Sequence, residues 1–296
     1  MFKRIGYFLI TNILVILTIQ ILVFVLQSFF GIDIYAAAGG YGGIILISLV
    51  FGMGGSFISL MISKTMAKSM MGVQIVNENS QYGEVVKMVH HFAKQAGLSK
   101  MPEVGIYNSP EVNAFATGPS KSNSLVAVST GLLQRMDRDE VEGVLAHEVA
   151  HIQNGDMVTM TLIQGVVNAF VIFFSRILAN AIASGDDENE GASPFMYFAL
   201  VIALEIAFGI LGSIVVAFFS RTREYRADRG GAELAGRDKM IRALQRLQAQ
   251  FESGPIDKRG DALQTLKISN RGTGLMALLS THPSLDKRIK ALQGSY

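Results

Sequence analysis

Four long apolar runs limit what this chain can fold into. Ile5 to Phe30, Ile44 to Ile62, Thr159 to Ala183 and Phe195 to Phe219 each approach the ~20 residues that an α-helix needs to cross bilayer hydrocarbon. The chain is 50% hydrophobic and only 17% charged, whereas soluble domains carry roughly a quarter charged residues. The shortfall implies an integral membrane protein with a sizeable polar part. Lys3 and Arg4 precede the first run as they would in a secretory signal. Its apolar part is too long for one, and no small-residue cleavage site follows cleanly, so the run is expected to be a first transmembrane helix.

The runs pair into two hairpins. The Gly- and Ala-rich segment Gly31–Gly43 reads as a short turn, and the acidic linker Ser184–Gly191 as a flexible one. Residues 1–71 and 157–220 are therefore expected to be transmembrane hairpins. Residues 72–156 and 221–296 are expected to be two parts of one polar domain. Lys and Arg flank the start of the first span and the ends of the second and fourth (Lys64, Lys68, Arg221, Arg223, Arg226), while the intervening loops carry none. The positive-inside rule then puts both termini and the polar domain on the cytoplasmic side.

Arg176 and Glu205 interrupt the third and fourth runs. Such charges often mark ion paths, but a lone charge at depth costs about 2.5–3.5 kcal/mol or more, so each is expected to have a partner. Arg176 lies about eight residues before the acidic linker and Glu205 about ten into the fourth run, so their depths match in an antiparallel hairpin. Thr161, Gly165, Asn168 and Arg176 share one stripe, and Glu205, Gly209, Gly212 and Val216 another. An ion pair between closely approaching helices is expected; the alternative is that Arg176 snorkels to the periplasmic interface and Glu205 is protonated.

Within the polar part, Tyr82–Ala96 has helical periodicity, and Glu103–Tyr107, Asn113–Gly118 and Ser124–Val128 read as short strands. His90 and His91 project about 100° apart on their helix, which makes them poor joint ligands. Ser129 or Thr130 caps a short helix over Leu132 and Leu133. Next comes Asp137-Arg138-Asp139-Glu140, where Asp137 and Glu140 make a capping box. The helix they start is expected to be amphipathic, with Val141, Val144, Leu145 and Ala146 as packing surface. It carries His147-Glu148-Val149-Ala150-His151. Histidines at i and i+4 leave one helical face about a turn apart, where one tetrahedral zinc can take both, and Glu148 can act as base on a water at the open position. Cysteine is absent, which excludes disulfides, thiol catalysis and zinc–thiolate sites. A net charge of +2 without a basic block argues against nucleic acid as a partner.

A catalytic zinc needs a third protein ligand. Arg223-Glu224-Tyr225-Arg226-Ala227-Asp228 offers Glu224 and Asp228 on one helical face. Glu224 can bind the metal while Asp228 accepts a hydrogen bond from a ligand imidazole. The same stretch also reads as a solvated helix of alternating charge, and spacing alone leaves both open. Downstream, Lys239–Phe251 reads as an amphipathic helix, Gly254–Gly274 as a polar loop, and a short helix starts at Pro283.

Together, His147-Glu148-Val149-Ala150-His151, Glu224-Tyr225-Arg226-Ala227-Asp228, Asn113-Ala114-Phe115 and Thr281-His282-Pro283-Ser284 resemble the HtpX family of bacterial inner-membrane zinc proteases, relatives of the CaaX prenyl proteases. The resemblance covers essentially the whole chain. It implies an α+β membrane protein with four transmembrane helices in two hairpins around a mostly helical, zincin-like catalytic domain with a small β-sheet. It implies one zinc held by His147, His151 and Glu224, with Glu148 as general base and Asp228 behind a ligand histidine. The implied activity is zinc metalloendopeptidase cleavage of misfolded or unassembled membrane proteins at the inner membrane, as part of quality control under stress. His282 is either a donor to the tetrahedral oxyanion or a loop histidine before a helix begun by Pro283. Asn113, Ala114 and Phe115 are either an edge strand that pairs with extended substrate or an ordinary strand of the sheet. A scaffold protein without activity would not need Glu148.

Overall fold

The computed structural model describes residues 41–183, 193–252 and 279–294. The first apolar run, the acidic linker and the polar loop expected at Gly254–Gly274 lie outside the described residues. The described elements are α1 (Tyr41–Met71), β1 (Gln74–Val76), α2 (Gly83–Gln95), β2 (Glu103–Tyr107), β3 (Ala114–Ser120) and β4 (Asn123–Ser129). They continue with α3 (Thr130–Arg135), α4 (Arg138–Asn154), α5 (Asp156–Ala183), α6 (Pro194–Ala235), α7 (Arg237–Glu252) and α8 (Leu285–Gln293). Among the described residues the protein is mostly helical with one small mixed sheet. Three of the helices, α1, α5 and α6, are long and apolar enough to cross a membrane.

Two compact units divide the chain. One comprises Thr161–Val216 and the described part of Met1–Ile58; the other comprises Ser59–Met160 and the described part of Ala217–Tyr296. The first is built from apolar helix with small residues at its closest approaches. A Cβ at Gly52 would lie 2.5 Å from the Ala169 backbone nitrogen, so only glycine lets α1 and α5 meet there. Gly165 also faces α1, 2.9 Å from Met53 Sδ on the same measure, rather than the fourth run as its stripe suggested. Gly212 does face α5, against Val167, whereas nothing lies near Gly209. Phe170, Phe174, Leu211 and Val215 are exposed, as lipid-facing side chains would be.

The expected pair is present. Arg176 Nη1 donates to Glu205 Oε1 at 2.7 Å and to the Ile172 carbonyl at 3.2 Å, and both side chains are buried.

The second unit is organised on the sheet, in order β1-β2-β4-β3. β2 and β4 run parallel, with Val104 opposite Val126 and Ile106 opposite Val128, while the outer pairs are antiparallel. β1 was not expected: three residues are too short to show alternation. The β3–β4 hairpin turns beside Gly118 at φ 141°, where a side chain would also collide with the Asn123 carbonyl. α1 runs on past its apolar part because Lys64 and Lys68 reach back to the sheet. Lys64 bonds Glu103 at 2.8 Å and Asn123 at 2.9 Å, and Lys68 bonds Glu103 at 2.6 Å. Its start is also earlier than expected, since Tyr41–Gly43 are helical rather than part of the turn.

α4 lies at the centre. Ser129 caps α3 by accepting from Leu132 N–H, and Asp137 and Glu140 form the anticipated capping box for α4. The helix is not amphipathic along its length, however: Val141 and every residue from Gly143 to Ile152 are buried. Helices buried all round belong to cores, and this one is packed by α2, β3 and α7. Gly143 admits α7, since a Cβ there would come within 2.6 Å of the Lys239 carbonyl. At the solvent edge Arg242 pairs with Asp137 and Asp139, and Lys239 with Glu142. α8 starts at Leu285 with Ser284 as its N-cap, so Pro283 precedes the helix rather than opening it.

Breaking a buried ion pair leaves the surviving charge uncompensated, at a cost of about 3–5 kcal/mol. Arg176→Gln and Glu205→Gln should each destabilise the detergent-solubilised protein on that scale. The double variant should lose clearly less than their sum in an equilibrium unfolding cycle; additive losses would mean the pair contributes no coupling.

Candidate metal centre

Local packing brings four segments to one point in the second unit. α4 supplies His147, Glu148 and His151, and α6 supplies Glu224 and Asp228. The approach of these helices depends on two glycines. A Cβ at Gly231 would sit 3.1 Å from the His147 backbone nitrogen, and one at Gly230 2.9 Å from Ala150 Cβ. α8 adds Arg288, and the turn before it adds His282. Arg221 steadies that turn by donating to the Ser280 carbonyl at 2.8 Å.

His147, His151 and Glu224 each offer one ligand atom, all within 4.8 Å of one another. The two imidazole Nε2 atoms are 3.1 Å apart, His147 Nε2 lies 3.6 Å from Glu224 Oε2, and His151 Nε2 lies 3.5 Å from Glu224 Oε1. A tetrahedral ion with bonds of about 2.0–2.1 Å sets its ligands roughly 3.3 Å apart, so the spacing suits one ion. Glu224 gives the decisive observation. Both carboxylate oxygens are buried and accept no hydrogen bond, although His282 Nδ1 and Arg288 Nη1 stand 3.1 and 3.2 Å from Oε2. Burial works against its charge, but the facing imidazoles and the Arg288 guanidinium hold the carboxyl well below its usual range. Its lone pairs toward the two Nε2 atoms stay unmet, and a metal ion there would take them. The residues fit a metal.

Carboxylates stand behind both imidazoles. Asp228 Oδ1 is 3.0 Å from His147 Nδ1, and Asp156 Oδ2 is 2.6 Å from His151 Nδ1. Burial disfavours the imidazolium, but Asp228 and Glu224 outweigh it at His147 and hold its pKa up at about 9. Asp156 and Glu224 raise that of His151 in the same way. Arg288, fully buried, forks onto Asp228 with Nε at 2.7 Å and Nη2 at 2.5 Å. Desolvation opposes its charge, and the surrounding carboxylates hold its proton more firmly than usual. Glu148 is buried on the same helix turn, close enough for its charge to help raise the buried Tyr107 phenol, whose shift comes first from desolvation.

Asn113, Ala114 and Phe115 lie elsewhere in the bonding pattern. Asn113 donates to Tyr107 Oη at 2.8 Å, and its backbone N–H donates to Ser129 Oγ at 3.1 Å. Ala114 and Phe115 point into apolar clusters on the two faces of the sheet. β3 is nevertheless an edge strand, so its main chain is the part with pairing capacity. His282 is brought to the cluster, with neither ring nitrogen making a hydrogen bond. His90 stays on α2, half-buried against the Pro102 carbonyl, and His91 is exposed. Sequence reading missed two buried site residues. Arg288 shares the helical face of Leu285, Ile289 and Leu292, and a charge on an apolar stripe was the available signal. Asp156 directly follows the glycine that ends α4.

Comparison with known proteins gives the class first. The model for peptidase family M48 matches residues 79–295. The protease HtpX homolog of Bacillus subtilis strain 168 is 54% identical over 301 residues, spanning 99% of both chains. Protease HtpX of Alkalilimnicola ehrlichii is 49% identical over 98% of this chain and 97% of its own. The chain belongs to peptidase family M48 and, within it, to the HtpX proteases. A crystal structure of S. mikatae Ste24p shares the fold at a TM-score of 0.61 and 17% identity, covering 99% of this chain and 67% of that one. Family M48 implies a metal, and the His147–His151–Glu224 group can bind one.

Arg288→Leu would strand Asp228 and Glu224 as buried carboxylates without their cation. The loss should be about 3–5 kcal/mol of unfolding free energy. Arg288→Lys should recover only part of it, because an ammonium cannot reproduce the fork. A Leu variant unfolding at the wild-type denaturant concentration would contradict this role.

Proposed function

We propose that this chain is a membrane-embedded zinc metalloendopeptidase that cleaves damaged, misfolded or unassembled membrane proteins. The observation that carries the reading is the Glu224 carboxylate, buried without a hydrogen-bond donor opposite the two imidazole Nε2 atoms. His147, His151 and Glu224 hold one zinc, and Asp228 fixes the His147 tautomer by accepting from Nδ1. When bound, the zinc supplies Lewis acidity, lowering the pKa of a water and polarising a peptide carbonyl.

The remaining steps belong to the protein. Glu148 takes a proton from the attacking water and returns it to the leaving amine. His282 donates to the developing oxyanion, a role supported by its ring nitrogens making no hydrogen bond in the buried cluster. Extended substrate pairs along the β3 edge that starts at Ala114 through main-chain hydrogen bonds, which accept many sequences, while Asn113, whose N–H and carbonyl are both bonded to Ser129, anchors the start of that edge. Helix α6 supports a site close to the bilayer, because Phe219 and Glu224 share it and are separated by about 7–8 Å of rise. With four spans, the first being Ile5–Phe30, the distribution of Lys and Arg supports cytoplasmic termini and a cytoplasmic catalytic domain in a bacterial inner membrane. Cleavage is then expected in cytoplasmic loops or tails near the membrane, or in segments extracted from it. Cuts mapped only to periplasmic domains would contradict that placement.

Glu148→Gln removes the base and leaves every ligand. It should retain stoichiometric zinc by elemental analysis while β-casein cleavage falls about 10²–10⁴-fold. Near wild-type cleavage in that variant would remove Glu148 from the mechanism. Glu224→Ala should lower bound zinc directly, and unchanged metal content would mean a different third ligand.

A further inference from the structure

The two histidines have carboxylates behind them, but the two couples differ. Asp228, behind His147, is already neutralised by the two-pronged Arg288 contact. Asp156, behind His151, is 2% exposed, and among the described residues its side chain is paired with no lysine or arginine; its partner is the imidazole. The 2.6 Å separation makes Asp156 Oδ2 to His151 Nδ1 the shorter of the two contacts (3.0 Å for Asp228).

Chain geometry explains how a residue on a membrane-length helix reaches back to the cluster. Gly155 adopts φ 70°, and its N–H caps α4 on the His151 and Ile152 carbonyls. The chain turns there and starts α5 at once with Asp156. The turn returns the carboxylate to the imidazole five residues earlier. A carboxylate in the first turn of α5 is also favoured by that helix's dipole.

We infer that Asp156 is a positioning residue of the metal centre: it accepts the Nδ1 proton of His151, commits Nε2 to the metal and holds the ring in its ligating orientation. The inference rests on the zinc-site reading above. Hydrogen-bond acceptance fixes which ring nitrogen is free, and an anionic acceptor raises the ligand's basicity more than a neutral one. Asp156 brings a buried negative charge with no basic side chain of its own. It therefore balances metal charge that the Arg288-neutralised Asp228 does not, and its loss should affect metal affinity more than fold.

The test uses full-length protein in detergent, with Asp156→Asn and Asp156→Ser beside wild type. Zinc affinity is read by chelator competition, and coordination by the visible spectrum of the cobalt-substituted protein. Both variants should bind zinc about 10–100-fold more weakly and shift the cobalt bands, while the metal-free unfolding midpoint stays near wild type. Wild-type affinity and an unchanged cobalt spectrum would overturn the inference while leaving the zinc site intact. A midpoint lowered equally with and without metal, or failure of both variants to fold without it, would make Asp156 a folding residue and overturn it too. If wild type bound no zinc, the site reading itself would fail.

Discussion

Ionisable groups taken out of water must find partners, and the architecture around α4 follows from that requirement. His147, His151, Glu148, Glu224, Asp228, Asp156 and Arg288 are all buried in one neighbourhood. Isolated charges in such a place would cost several kcal/mol each. The protein meets the cost by mutual pairing: Arg288 forks onto Asp228, Asp228 and Asp156 face the histidine Nδ1 atoms, and Nε2 is left facing Glu224. Neither oxygen of Glu224 accepts a hydrogen bond although Arg288 stands 3.2 Å away, and that unmet capacity, facing the two Nε2 atoms, points to a metal ion between them.

That arrangement explains features that would otherwise look unrelated. α4 is buried on nearly every side, which holds the two imidazoles and Glu148 in fixed orientations. Gly143, Gly230 and Gly231 stand where neighbouring backbone or side chains come closest, so α6 and α7 can seat against α4. Two of the helices with membrane-crossing length take part directly. α5 begins with Asp156, and α6 carries Glu224 and Asp228 on the polar continuation of its apolar run. The same logic recurs in the first unit, where Arg176 and Glu205 are tolerable because they meet.

Much of this was legible in the residues, for identifiable reasons. The capping box at Asp137 and Glu140 and the i, i+4 histidines depend on local spacing, which sequence displays directly. The Arg176–Glu205 pair was legible because a membrane leaves a buried charge few options. What escaped depended on tertiary packing. Gly165, Gly209 and Gly212 could be assigned to stripes, but which helix each stripe meets is not a local property. The all-round burial of α4 was hidden because Val141, Val144, Leu145 and Ala146 read as one packing surface, and what covers the rest of a helix is decided by elements distant in the chain. Arg288 was visible on the apolar face of α8, yet only the fold shows that this face meets Asp228. Asp156 read as the end of a polar segment when it is the first residue of a long helix bonded back to His151.

The central claim is that His147, His151 and Glu224 hold one metal ion. Anomalous diffraction at the zinc edge, from crystals of the full-length protein purified without chelator, tests it most directly. A single peak is expected at about 2.0–2.2 Å from both Nε2 atoms and a Glu224 oxygen. A peak bound by other residues, or none in a preparation that cleaves casein, would contradict it.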